Sequence, residues 1–254
     1  MSDTGMPCSA NSTNQTKSAP LNSLMPNHHP NRRSYNWLVY SAVDQWLESS
    51  KALIRGDVVD LGAGVAPYRG FLTPLGSSYL TVDWALSQHQ ISADIIADLN
   101  GALPLESASA DTVVSISVLE HLRRPEVFLA ETSRILRSDG HLLLQVPWQW
   151  MVHEAPHDYF RYSPYALRML LETANFMDIS IRPSGGVFST LALKLNYLLA
   201  RVVRGPIPIQ KLIAFTFWPA WCASQLAARW LDRLDRIPER EAPGYFVIAR
   251  RRPR

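Results

Sequence analysis

The segment Val58-Val59-Asp60-Leu61-Gly62-Ala63-Gly64 narrows the folds open to this chain more than any other. A short β-type run feeds a turn whose glycines reach dihedrals closed to other residues and let a ligand approach the backbone closely. A purely structural bend would show the same glycines. Asp83 adds a second feature in register, about 20 residues on and at the end of the next strand. There a carboxylate can accept hydrogen bonds from both hydroxyls of a ribose.

Strand-type runs recur near 79–82, 94–97, 111–118, 141–146, 177–181 and 245–249, separated by helical stretches. Trp37, Tyr40, Val43 and Leu47 share one side of a helix over 35–47, Pro125 opens a helix closed by Asp139-Gly140, and Ser163-Pro164 caps another through Leu167, Leu170 and Leu171. This alternation implies parallel βαβ units in a doubly wound α/β sheet that binds ligands at the carboxyl ends of its strands. Residues 1–33, rich in Ser, Thr, Asn and Pro, read as a disordered tail. The two cysteines, Cys8 and Cys222, argue against a disulfide framework, and the N-terminus lacks the pattern of a secretory signal, so the expected location is cytoplasmic.

Asp98, just before Leu99, has two readings: an acceptor for an adenine amino group, or a turn-capping carboxylate. Together with Leu103-Pro104, Asp111, the strand end Val118-Leu119-Glu120-His121 and the turn Leu136-Arg137-Ser138-Asp139-Gly140, it completes a pattern over 56–181. That pattern resembles the class I S-adenosylmethionine-dependent methyltransferases, in particular the bacterial methyltransferase type 11-like group. The resemblance implies a Rossmann-like sheet of seven strands, mostly parallel with a reversed last strand, built from 34–183 and 244–250. It implies S-adenosyl-L-methionine as cofactor. By position, Gly62, Ala63 and Gly64, with Asp60 before them, would line its methionine part. Asp83 would take the ribose, Trp84 would lie beside the adenosine, Asp98 and Leu99 would meet the adenine, and Ser117 to Leu119, Val118 included, would form the floor. Ala66-Pro67 stands where a dinucleotide loop needs a third glycine. With the absence of a Tyr-x-x-x-Lys pair, this weighs against an NAD-dependent oxidoreductase. A non-catalytic binding or scaffold protein on the same fold is a second alternative, against which intact Asp83 and Asp98 speak.

Methyl transfer is an in-line displacement that needs alignment, exclusion of water and at most one base. His121, past the fourth strand, is one candidate. His153 and His157 are others, in the loop 147–162 that would roof the cofactor mouth, and hydrogen bonding within that loop is the plain alternative. No metal is assigned: His153, Glu154, His157 and Asp158 have ligand chemistry, but Pro156 breaks the helix that would align the two histidines, and the sequence supplies no third ligand cluster. Nucleic-acid acceptors are disfavoured, because Leu119-Glu120-His121-Leu122 replaces the Asn/Asp-Pro-Pro-aromatic turn and there is no Pro-Cys nucleophile. The expected acceptor is a hydroxyl of a small molecule, sugar or lipid-linked glycan.

Between the last two strands, 184–243 form a helical insertion where a short hairpin is usual. It contains apolar 187–203 and the 17 uncharged residues 212–228, interrupted by Pro219 and flanked by Arg201, Arg204, Lys211, Arg229 and Arg233. Residues 186–254 carry 12 Lys/Arg against 4 Asp/Glu, although the whole chain is only +3. Two readings of 187–231 follow: a hairpin lying in an anionic membrane interface, peripheral at the inner face of the cell membrane, or a cap or homodimer contact.

Overall fold

Seven strands pair in the order β3-β2-β1-β4-β5-β7-β6. They are β1 (Asp57–Leu61), β2 (Ser78–Asp83), β3 (Ile95–Ile96), β4 (Ala110–Ile116), β5 (Leu136–Pro147), β6 (Phe176–Pro183) and β7 (Gly244–Arg251). The computed structural model describes residues 29, 31–84 and 93–253. β1, β2, β3, β4 and β5 run parallel, whereas β7 lies antiparallel between β5 and β6. The reversed last strand is therefore present, and the strands fall close to their expected positions with one exception: β5 begins at Leu136 directly after a helix that ends at Ile135, so the expected helix-closing turn at 136–140 is instead the start of the strand.

Both faces of the sheet are covered, which is why its central strands read as nearly continuous apolar runs. Val58, Val114, Leu143 and Phe246 cluster with Val43, Trp46 and Leu47 of α1 (Trp37–Ser50) and with Phe71 and Leu72 of the single turn α2 (Arg69–Leu72). Val59, Leu61, Val113, Leu142, Leu144 and Val247 cluster with Phe128 and Leu129 of α3 (Pro125–Ile135) and Leu167 and Leu171 of α4 (Pro164–Thr173). Ser163 caps α4 as expected, its Oγ accepting from the Ala166 amide at 3.3 Å.

The chain leaves β1 for β2 and β3 on one side, then returns to β4 on the other. Their departing loops diverge at the β1/β4 boundary, opening the crevice where such sheets bind ligands. β4 stops at Ile116 rather than Val118, because Ser117 adopts φ 55° and turns the chain out of the sheet. Of the presumed tail, His29 and Asn31 to Arg33 pack on the body: His29 stacks on Tyr40 at 4.3 Å, and Arg32 pairs with Asp44. Residues 1–28 lie outside the described residues.

The insertion forms α5 (Val187–Ala200) and α6 (Ile207–Leu231), and α6 continues through Pro219. Among the described residues no helix is long and apolar enough to cross a membrane. The second half of α6 is tied to the body by the buried Gln225, whose Oε1 accepts from the Leu38 amide at 3.0 Å and whose Nε2 donates to the Ser34 carbonyl at 2.7 Å. Those packing contacts hold the helix past the amide that Pro219 lacks. The N-terminus of α5 has no local cap. Instead Asp232 accepts from the amides of Gly186, Phe188 and Ser189 at 2.9, 3.0 and 3.1 Å, and Asp235 from that of Val187 at 3.0 Å. Two carboxylates from beyond α6 thus satisfy the first-turn donors of α5 and face its positive dipole end. Asp232→Ala should cost about 1–2 kcal/mol. It should also speed amide exchange across 187–200; unchanged exchange there would refute the distal cap.

Candidate active site

At the crevice, the glycine loop and the ends of β2 and β4 enclose a cavity of about 580 Å³, within the range that holds a drug-sized ligand. The two glycines of the loop differ in purpose. At Gly62 (φ 78°) an added Cβ would fall 2.3 Å from Val118 Cγ2, so packing demands glycine. At Gly64 (φ 57°) it would meet nothing within 4 Å, so the backbone stands open towards the cavity. Asp83, nearly buried, accepts from the Gly64 amide and, at 2.5 Å, from that of Trp84, locking the loop to the end of β2. These contacts leave lone pairs on the carboxylate for hydroxyl donors. An open backbone beside an oriented acid fits a cofactor that presses its methionine part on the loop and offers a ribose.

Asp60 lies behind the loop and accepts from the Tyr79 hydroxyl at 2.7 Å. Burial, helped by the charge of Asp83, raises it to about 6 against the Tyr79 bond and Arg69. Asp98 fulfils its turn-capping reading, accepting from the Asn100 amide at 2.9 Å, and it lines the cavity together with Leu99. The Ser117 hydroxyl donates to Gln145 Oε1 at 2.6 Å, and Val118 completes the floor; Leu119 is fully buried beneath it and does not line it. The cavity wall therefore gathers Asp60, Gly62, Ala63, Gly64, Asp83, Trp84, Asp98, Leu99, Ser117 and Val118 with His121, His153 and His157.

The roof is the loop between β5 and α4, tied to the single turn Leu119–His121. The Tyr159 and Phe160 amides donate to the Glu120 carbonyl at 2.9 and 3.2 Å, and the Tyr162 hydroxyl to the Leu119 carbonyl at 3.0 Å. This brings the His153 ring within 4.7 Å of that of His121. His121 Nδ1 lies 2.7 Å from the His157 carbonyl oxygen, which can only accept, so Nδ1 carries the hydrogen and Nε2 is the bare nitrogen of the neutral ring. Asp158 sits 3.3 Å from His153 Nδ1 and is held by Arg161 at 2.6 and 2.7 Å. Burial and the neighbouring His121 hold His153 below the ordinary histidine range. Glu120 is wholly buried with neither side-chain oxygen hydrogen-bonded, and burial pushes it up to about 8. His157 stands edge-on to Trp84 at 5.0 Å, its Nδ1 3.1 Å from the Tyr159 hydroxyl.

Sequence reasoning missed the far wall. His29, Tyr35, Asn36 and Tyr40 line it with Tyr197 of α5, joined by an Asn36 Nδ2 to Tyr197 hydroxyl bond of 3.0 Å and an edge contact of 5.0 Å between Trp150 and Tyr197. No local motif marks these residues, which come from opposite ends of the chain. Glu120 had a signal, an acid set among apolar Val118, Leu119 and Leu122.

Gly62→Ala should lower the melting temperature sharply, whereas Gly64→Ala should cost about 1 kcal/mol of backbone strain and weaken cofactor binding by more than tenfold in calorimetry. Equal effects of the two would contradict the division of labour. For Asp60, the folded state holds its proton more tightly than the unfolded one, so stability should fall as pH rises from about 4 to 6, by up to about 3 kcal/mol. Asp60→Asn should flatten that part of the denaturation profile; an unaltered profile would exclude Asp60 as its source.

Residues 59–144 match the family model described as a methyltransferase domain. Among solved structures, the chain is similar to Haemonchus contortus phosphoethanolamine N-methyltransferase 2 in complex with S-adenosyl-L-methionine, with a TM-score of 0.55 and 13% identity over 87% of this chain and 56% of that one. It thus spans little more than half the length of that enzyme. The cyclase SpnF is similar too, with a TM-score of 0.54 and 16% identity over 83% of this chain and 80% of that one. No curated protein matches the chain by sequence. The order of the strands, the open glycine loop beside an acid at the end of β2 and the matched domain agree: residues 59–144 carry a methyltransferase domain, and the sheet has the Rossmann-like fold of the class I S-adenosylmethionine-dependent methyltransferases.

Proposed function

We propose that the enzyme methylates a hydroxyl of a sugar or lipid-linked glycan at an anionic membrane surface, at the inner face of the cell membrane. The observation that carries this reading is the first half of α6. Apart from Gln210, Lys211 and Thr216, residues 207–220 are apolar and their side chains point around the whole helix, yet none of them is buried; Leu212, Phe215 and Trp218 are 66%, 76% and 53% exposed. A helix apolar all round needs an apolar environment. Its surroundings favour lipid: from 179 to 231 there is no Asp or Glu, against Arg182, Lys194, Arg201, Arg204, Lys211 and Arg229, and each basic residue near an anionic surface contributes about 1 kcal/mol. α5 of the same insertion puts Tyr197 in the cavity wall, linking the membrane-facing helices to the place where an acceptor enters.

The cofactor supplies an electrophilic methyl group. The chain must align the acceptor, exclude water and take a proton. His157, between Trp84 on the cofactor side and the loop surface, accepts the hydroxyl proton in this reading, while His121 and His153 position the acceptor oxygen. His157→Ala should lower kcat about 10²- to 10⁴-fold at unchanged affinity for S-adenosylhomocysteine; full activity would remove it as the base, and turnover only with amine acceptors would overturn the O-methyl assignment. Phe215→Ser/Trp218→Ser should abolish flotation with phosphatidylglycerol vesicles without affecting cofactor binding. Undiminished flotation, or a concentration-dependent dimer lost in the same variant without any vesicle binding, would overturn the membrane reading.

A further inference from the structure

Glu120, His121 and His153 come from the turn that follows β4 and from a loop more than thirty residues away, yet a ligand atom of each lies within 4.8 Å of the other two. Glu120 Oε1 is 3.6 Å from His121 Nε2 and 3.9 Å from His153 Nε2. These separations are too long for hydrogen bonds. They sit a few tenths of an ångström above the roughly 3.3 Å edge of a tetrahedron with bonds of about 2.0–2.1 Å. Both Glu120 oxygens are buried without a hydrogen-bond partner, an arrangement that is costly unless a cation answers it.

The outer contacts are those of a metal-binding pair of imidazoles. The His157 carbonyl fixes the hydrogen of His121 on Nδ1, leaving Nε2 bare towards Glu120. Asp158, held by Arg161, accepts from the His153 amide at 2.9 Å and lies 3.3 Å from His153 Nδ1 without making a hydrogen bond to it, while His153 Nε2 lies 3.9 Å from Glu120. A carbonyl and a carboxylate behind two ligating histidines are the usual orienting groups of such sites. We infer that Glu120, His121 and His153 bind a divalent transition-metal ion of the zinc type, with its remaining position open to the cavity. Two imidazoles and one carboxylate suit zinc or cobalt and disfavour magnesium and calcium, which prefer oxygen ligands. His121 and His153 line the cavity while Glu120 lies behind them, so the open side faces the space an acceptor would occupy. That an acceptor oxygen completes the coordination rests on the O-methyl reading; the metal site itself does not.

The test is a titration of the tag-free, chelator-stripped full chain with zinc by calorimetry and with cobalt by visible absorption. The expected result is one equivalent bound, cobalt bands of four- or five-coordinate intensity, and no comparable binding of magnesium. Glu120→Gln and His153→Ala should each weaken binding at least 100-fold, and Asp158→Asn about 10- to 100-fold, while each variant still binds S-adenosylhomocysteine. Should Glu120→Gln fail that folding control, His153→Ala in the surface loop decides alone. Absence of stoichiometric zinc binding by the wild type, or undiminished binding in the folded variants, would overturn the site. Because no acceptor enters the titration, its outcome is independent of whether O-methyl transfer is observed.

Discussion

The carboxylate of Asp83 is the contact on which the site depends. It ends β2 and holds the amides of Gly64 and Trp84, so the glycine loop, the adjoining strand end and Trp84 on the cavity wall are fixed by one side chain. The loop can take its positive φ values there because Gly62 must clear Val118 from the neighbouring strand end, while Gly64 is left with open space before it. A polar group that would otherwise be costly to bury is thereby satisfied, with acceptor capacity remaining for a ribose. The doubly covered sheet behind it supplies the stiffness that keeps this geometry in place of a mobile turn.

Around that fixed centre the mouth is assembled from distant segments. The Glu120 carbonyl anchors the roof loop while its side chain points into the histidine pair, so one residue both closes the site and sets a buried carboxyl beside the two imidazoles. The insertion does comparable work on the other side. Its C-terminal carboxylates Asp232 and Asp235 hold the start of α5, Gln225 clamps α6 to the start of α1, and Tyr197 reaches the cavity. Movement of the insertion at a surface would therefore be felt at the cavity wall.

Much of this was legible in the sequence for a physical reason: strands buried on both faces and helices with one apolar stripe leave strong periodic signals, and turns such as Gly62 to Gly64 and Ser163-Pro164 need particular residues. Asp83 and Asp98 could be placed because they sit at strand ends. What escaped was non-local. The far wall of Tyr35, Asn36, Tyr40 and Tyr197 is made by packing of the N-terminal region on the insertion helix α5, and the capping of α5 by Asp232 spans over forty residues. Within the roof loop the sequence sets His153 and His157 at helical spacing, whereas the convergent group joins His153 to Glu120 and His121 across the fold. The two readings of Asp98 proved compatible, since the turn bond to Asn100 uses one oxygen and leaves the residue on the cavity wall.

The most direct measurement is calorimetric titration of S-adenosylhomocysteine into the wild type and into Asp83→Ala. The account predicts one site per chain and at least a tenfold loss of affinity in the variant, with the far-ultraviolet circular dichroism of the fold retained. Absence of binding by the folded wild type, or equal affinity in the variant, would contradict it.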